Sequence, residues 1–237
     1  MNLEPAPVLH TGVAEVLGRE IVDGVVPPGS ALTLESLQER FGVSRTVARE
    51  VVRALEAMGL VSSKRRVGIL VRPVQDWDVL DPTVITWRLL GPGRAAQLRS
   101  LTELRAAVEP FAAGWAARRA SEEVRASFVP LAQEMRALGE AGRLHEFLAL
   151  DQEFHDRLLR ASGNEMFAAL TDAVAAVLAG RTGLGLMPPQ PVPEALDAHE
   201  AVARAIAAGD PAGAEAAMGR ITSEVRAAFS HLAATSD

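Results

Sequence analysis

Residues 41–61 read FGVSRTVAREVVRALEAMGLV, and this stretch decides the fold class. Gly42 suits a tight turn that needs a positive φ. Ser44 stands where it caps a helix that runs to about Met58 and stops at Gly59. Val47, Val51, Leu55 and Met58 recur at helical spacing and predict the buried stripe. Arg45, Arg49 and Arg53 fall on another face, and the first two, one turn apart, share one side of the first turns.

The flanks complete a pattern. Upstream, TGVAEVLGREIVDGV (residues 11–25) sets Val13, Val16, Leu17, Ile21 and Val25 at helical spacing before VPPGS breaks the run. Thr33 can cap a short helix, LESLQERF, that buries Leu34, Leu37 and Phe41. Downstream, LVSSK and VGILVRP read as two strands joined through Arg65 and Arg66, with Gly68 near the turn. Helix, helix, turn, helix and basic hairpin is the order of a winged helix-turn-helix. There the helix after the turn enters the major groove of DNA. Arginine suits that position because its planar fork binds a phosphate or a guanine edge bidentately. Lys64, Arg65 and Arg66 are expected on the DNA backbone or in a minor groove. The competing reading is a three-helix core whose charged faces are merely solvated.

Charge favours the first reading. The 237 residues carry a formal charge of −6, yet from Ser44 to Arg72 seven basic residues stand against two acidic ones. A basic block in an acidic chain is the footprint of nucleic-acid binding. With 49% hydrophobic residues a sizeable core is available. No apolar run approaches the roughly 20 residues of a membrane helix. The opening MNLEPAPVLH lacks the basic start and apolar core of a secretion signal. There is no cysteine for disulfides or thiolate metal sites. The expected location is the cytoplasm, with no membrane partner.

The expected division is a winged helix over residues 1–74, a linker over 75–92 and an all-helical effector-binding and dimerisation domain over 93–237. In the connecting VQDWDVLDPTVITWRLLGPG, Trp77, Leu80, Val84 and Trp87 predict an apolar clamp docking one half on the other. Beyond it, six or seven antiparallel helices are predicted. RSLTELRAAVEPFAAGWAARRA is one of them, starting at Arg99 and kinked by Pro110. SEEVRASFVPLAQEMRALGEAG and NEMFAALTDAVAAVLAGRTG each read as one helix, and MPPQPVP as a loop. The last helix starts at Pro211, after Asp210. Within this half, DQEFH sets Asp151 and His155 one turn apart, and His199 stands on a later helix. A carboxylate and an imidazole presented together grip a divalent metal, although the same spacing also makes a plain ion pair. Arg105 and Glu109 have that spacing too.

GVSRTVAREVVRALEAMGLV and KRRVGILV closely resemble the DNA-binding domain of the GntR family of bacterial transcription regulators. The resemblance implies DNA contacts at Arg45, Thr46, Arg49 and Gly68. With Ser44, Arg53, Lys64, Arg65 and Arg66 these make the expected interface. One departure stands out: LTLES puts Leu34 where many members carry an acidic residue, which removes the basis for contacts from that helix.

ELRAAVEPFAAGWAA, DQEFHDRLLRASGN and AHEAVARAIAAGDPAGAEAAM resemble the FCD domain, the effector domain of the FadR branch of that family. That implies Asp151, His155 and His199 as ligands for zinc, nickel or manganese. It also implies effector contacts at Arg105 and Asn164. A plain ion pair with Glu109 and a plain N-cap are the other readings of those two. Ile221 stands at the position of a usual fourth histidine. His231 is too far along the helix to replace it, while Glu224, one turn on, is a candidate to contribute or hold a water. Three arrangements follow: three protein ligands with positions open to an effector carboxylate, a weakly held metal, or direct effector contacts without metal.

The linker WDVLDPTVITWRL is similar to that of members sensing sugar acids such as galactonate. The expectation is therefore a mainly α, homodimeric, ligand-responsive repressor of a double-stranded DNA operator that senses a small carboxylate, not an enzyme. The rivals are a metal-dependent hydrolase or lyase built on the Asp/His/His cluster, in which an open position activates water, and a pure metal sensor. An enzyme leaves the basic winged helix unexplained, and no motif supplies a separate base.

Overall fold

A computed structural model describes the backbone of residues 6–183 and 191–234, and the side chains of residues 11–183 and 191–223. The chain divides into two compact units, Met1–Arg94 and Ala95–Asp237.

The first unit opens with helix α1 (Ala6–Val22), a short strand β1 (Ala31–Leu32) and helix α2 (Leu34–Phe41). Helix α3 (Arg45–Ala57) and strands β2 (Val61–Lys64) and β3 (Gly68–Val71) follow. The expected caps are made. Thr33 accepts from the Ser36 amide in a capping box, Ser44 accepts from the Val47 amide, and Gly42 takes the left-handed conformation between the two helices at φ 63°. The wing is antiparallel, in the order β1-β3-β2, with Lys64 opposite Gly68. The two-residue β1, which pairs Ala31 with Leu70, escaped the sequence reading.

Two predicted apolar faces are rotated. On α3 the buried residues are Ala48, Val51, Val52 and Leu55, while Val47 and Met58 are only half-buried. On α1 they are Ala14, Leu17 and Ile21. Val16 is exposed, and so is Val25, because the helix ends at Val22 before Gly24 at φ 78°.

Residues 75–92, expected as a linker, hold helix α4 (Pro82–Leu90), capped by Asp81. Val84 and Trp87 belong to the core of the first unit, where they join α1, α3 and the wing, and Trp77 packs against the same core. Leu80 is exposed. The packing is tight: a Cβ at Gly18 of α1 would overlap the Trp87 ring.

The second unit contains α5 (Arg94–Arg119), α6 (Glu122–Ala126), α7 (Phe128–Glu140), α8 (Leu144–Ala161), α9 (Glu165–Ala168), α10 (Thr171–Gly183), α11 (Pro193–Ala208) and α12 (Pro211–Ala234). Helix α5 begins earlier than predicted and continues unbroken through Pro110. Two predicted helices are each divided. At Ser127 the hydroxyl donates back to the Val124 carbonyl and, with the Ser127 carbonyl, accepts from Arg157, so side-chain bonds replace a helical turn. At Leu170 the amide turns back to Phe167, and Thr171 starts a new helix. Residues 187–190 of the predicted loop lie outside the described residues, and Pro193 already begins α11.

One apolar core joins α5, α7, α8, α10, α11 and α12 around Phe128, Met135, Phe154 and Leu158. Ile221 is buried in it. Among the described residues no helix is long and apolar enough to cross a membrane.

Candidate functional site

The first candidate surface lies on the winged unit. Burying Ala48, Val51, Val52 and Leu55 turns Arg45, Thr46, Arg49 and Arg53 outward, and all four are exposed. The wing is held against α3 by the Glu56 carboxylate, which accepts from the Ser63 amide at 2.7 Å. Between α2, α3 and the wing runs a groove of about 640 Å³ lined by Arg45, Arg49, Arg53, Lys64, Arg65 and Arg66. Arg45 stands 4.0 Å from Glu35 with both side chains about two-thirds exposed, a pair too solvated to hold the arginine. Arg53 is bound more closely, 2.8 Å from Glu50.

Three members of the expected set have structural duties. The Ser44 hydroxyl is the α3 cap. Gly68 has φ 101°, and a Cβ there would lie 2.6 Å from the Leu32 carbonyl oxygen, so pairing with β1 already requires glycine. Arg66 holds φ 68° in the turn that the Val67 amide closes onto Lys64. That conformation costs an L residue with a bulky side chain roughly 1–2 kcal/mol. Leu34, the departure noted in the sequence, is half-buried against the core of this unit.

The second candidate site is inside the helical unit. Helix α8 presents Asp151 and His155 one turn apart, and α11 brings in His199. All three are buried, and their ligand atoms lie within 4.8 Å of one another. Asp151 Oδ1 is 3.3 Å from His199 Nε2 and 3.5 Å from His155 Nε2. Neither approach is aligned as a hydrogen bond, so Asp151 Oδ1 and His199 Nε2 are buried polar atoms without a partner. His199 Nδ1 donates to the Ala195 carbonyl at 2.7 Å, which turns Nε2 toward Asp151. Phe154 packs edge-on against both imidazoles. The helices that carry these groups are pinned nearby. Arg136 of α7 binds Glu200 at 2.8 Å and also Asp197, both on α11, while Gln152 of α8 donates to the Ala175 carbonyl of α10 at 2.9 Å.

Helix α5 adds a buried ion pair. Arg105 Nε and Nη2 reach Glu109 Oε1 and Oε2 at 2.8 and 3.2 Å, and Nη2 also lies 3.2 Å from His155 Nε2. His155 Nδ1 faces Glu109 Oε2 at 3.3 Å. Burial opposes a charge on Glu109, but Arg105 and His155 overcome it and hold the carboxyl at about 2. Burial likewise opposes charge on Asp151, yet the two imidazoles keep it well below the usual carboxylate range. For His155, burial and Arg105 lower the proton affinity of the ring, but Glu109 and Asp151 outweigh them and raise it. Burial lowers Arg181 of α10 to about 10; the influence of Arg105, Asp151 and Glu109 on it puts it within electrostatic reach of the cluster.

The three residues expected as metal ligands are thus together. Arg105 joins them through the ion pair with Glu109. Asn164 caps α9 by accepting from the Met166 amide at 3.0 Å, and among the described residues no hydrogen bond links it to the cluster. The side chains of Glu224 and His231 lie outside the described residues. Arg181 was missed. Its signal was a cation directly after the apolar stretch AVAAVLAG of the same helix.

The donor set fits a divalent metal. Two imidazole nitrogens and a carboxylate oxygen suit zinc, nickel and manganese. Ligands about 2.0–2.1 Å from a tetrahedral ion stand about 3.4 Å apart, which the 3.3 and 3.5 Å separations match. Buried partnerless acceptors also call for a cation, because an unmet buried polar atom costs roughly 1–3 kcal/mol.

Comparison with known proteins places both units. The FCD domain family matches residues 100–224, and the family described as bacterial regulatory proteins, gntR family, matches residues 9–71. The galactonate operon transcriptional repressor of Escherichia coli (strain K12) is 34% identical over 215 residues, 89% of this chain and 92% of the relative. The probable D-xylose utilization operon transcriptional repressor of Paenarthrobacter nicotinovorans is 29% identical over 213 residues, 87% of this chain and 82% of the relative. The solved structure of Lar, which controls the expression of the Listeria monocytogenes agr system, has a TM-score of 0.59 at 17% identity. It covers 98% of this chain and 100% of its own, a likeness of fold alone.

Proposed function

The chain belongs to the gntR family of bacterial regulatory proteins and carries its FCD domain, and from that premise we propose a cytoplasmic, homodimeric repressor that leaves its operator when a small carboxylate binds the helical unit. A sugar acid is the first candidate for that carboxylate. One relative is named for repressing a galactonate operon and another for a probable D-xylose utilization operon. The family and these relatives are transcription regulators, and nothing in the comparisons favours a hydrolase or lyase.

The winged unit supplies affinity for DNA. Arg45, Thr46 and Arg49 are presented to base edges and phosphates, and Lys64, Arg65 and Arg66 to the flanking backbone. One such unit covers only a half-site, so a two-fold dimer on an inverted repeat is the arrangement that gives selectivity.

In the helical unit, Asp151, His155 and His199 would hold a divalent ion. Such an ion supplies a Lewis-acidic anchor for a carboxylate. The protein's own part is to fix the His199 tautomer through Ala195, to exclude water with Phe154, and to surround the anion with the positive charge of Arg105 and Arg181. The observation that carries this reading is the pair of buried, partnerless atoms Asp151 Oδ1 and His199 Nε2, 3.3 Å apart.

Calorimetric titration of chelator-treated protein with zinc, nickel and manganese tests it. One site per chain is expected for at least one of the three. Ile221→His, which restores the family's usual ligand, should tighten binding by at least about tenfold, the scale on which coordination partners act. Absence of binding by both proteins to all three metals would reassign the cluster to direct contact with the effector.

A further inference from the structure

The cluster already contains a cationic group. The Arg105 guanidinium is buried, and three of its five N–H donors are engaged: two by Glu109 and one by His155 Nε2 at 3.2 Å. That contact requires a lone pair on Nε2 and the ring proton on Nδ1, the nitrogen 3.3 Å from Glu109. Nε2 is also the nitrogen that faces Asp151 Oδ1 at 3.5 Å. One lone pair cannot serve an arginine N–H and a metal ion together.

We propose that the Arg105 guanidinium and a divalent cation are mutually exclusive partners of His155, so that cation binding turns Arg105 Nη2 from His155 to the anion that completes the site. This rests on the cation reading above and adds its coupling to the effector. Before the exchange, with neutral imidazoles, Arg105 and Glu109 balance, and Asp151 leaves one negative charge for Arg181 to offset. A divalent ion alone adds two positive charges to a buried site and leaves a guanidinium N–H without its acceptor. Both are costly in a medium of low dielectric. A carboxylate removes both penalties, because it brings negative charge and accepts the released N–H. Cation and anion therefore bind cooperatively, and Arg105 is the group through which each assists the other. The Glu109 fork keeps the guanidinium anchored through Nε while Nη2 changes partner.

The test is zinc titration of chelator-treated full-length protein, comparing wild type with Arg105→Met and with the double variant Arg105→Met/Glu109→Gln. The double variant leaves no unpaired buried charge, so it separates loss of the competitor from exposure of a new carboxylate. Both are expected to bind zinc about tenfold more tightly than wild type, the scale of one hydrogen bond to a charged group. In wild type, added sodium galactonate should strengthen zinc binding, and in the double variant it should not. A second measurement needs no substitution. In nitrogen-15 spectra of wild type, the Arg105 Nη2 and His155 Nε2 signals should shift together on zinc addition. Zinc binding of equal affinity in wild type and double variant, with unmoved Arg105 signals, overturns the exchange while leaving the metal site standing. Failure of every protein to bind zinc overturns the metal reading and the exchange with it.

Discussion

Arg45→Ala and Arg49→Ala are each expected to weaken operator binding by about 1–3 kcal/mol, roughly 5- to 150-fold, without changing the thermal unfolding of the protein. The absence of a stability effect follows from their position. Both side chains are exposed on the face of α3 opposite Ala48, Val51, Val52 and Leu55, and the ion pair of Arg45 with Glu35 is long and solvated. Fluorescence anisotropy on an operator selected from a random duplex pool separates the two ways an arginine contributes. A lost base contact relaxes the preference at one position. A lost phosphate contact weakens all duplexes alike and lowers the salt slope by about one. Ser44→Ala serves as the contrast, since its hydroxyl caps α3 and its loss costs about 1 kcal/mol of stability. If both arginine variants bound as wild type does, α3 would not be the recognition helix.

Asp151→Asn is expected to weaken metal binding by more than about a hundredfold, since it removes the one charged ligand of a three-ligand site. The substitution is isosteric, so the packing around position 151 should hold. Its second consequence is functional. The variant should bind the operator as tightly as wild type in the absence of effector and should no longer leave it when a sugar acid is added. Zinc titration and operator release, measured on the same preparation, check both halves. Wild-type zinc affinity in Asp151→Asn would remove Asp151 from the ligand set.

Much of the first unit was legible because its signals are local. Thr33, Gly42, Ser44 and Gly59 punctuate α2 and α3, and the capping bonds they predict are the ones made. The buried faces were less legible. Val13 and Val47 are apolar and correctly spaced but only half-buried, and the neighbouring Ala14 and Ala48 occupy the interior, because spacing fixes a stripe only to within one neighbouring position. Residues 75–92 read as a clamp docking one half on the other, whereas Val84 and Trp87 are buried in the core of the first unit, against partners on α1 and α3 that are distant in sequence.

In the helical unit, the one-turn spacing of Asp151 and His155 could be read directly, while the family resemblance was needed to add His199 from α11. Glu109 was visible as the partner of Arg105. Its approach to His155 was not, since α5 and α8 meet only in the folded chain. The break at Ser127 depends on Arg157, which is likewise remote.

In the reading proposed above, occupation of the Asp151, His155 and His199 cluster by metal and carboxylate controls DNA binding. The most direct measurement is anisotropy of the labelled operator with zinc-loaded and chelator-treated protein, each titrated with galactonate and a panel of related sugar acids. At least one acid should release zinc-loaded protein, and the treated protein should require far more of it or stay bound. Release at the same concentration from both preparations, or from neither with any acid, would show that the cluster does not control DNA binding.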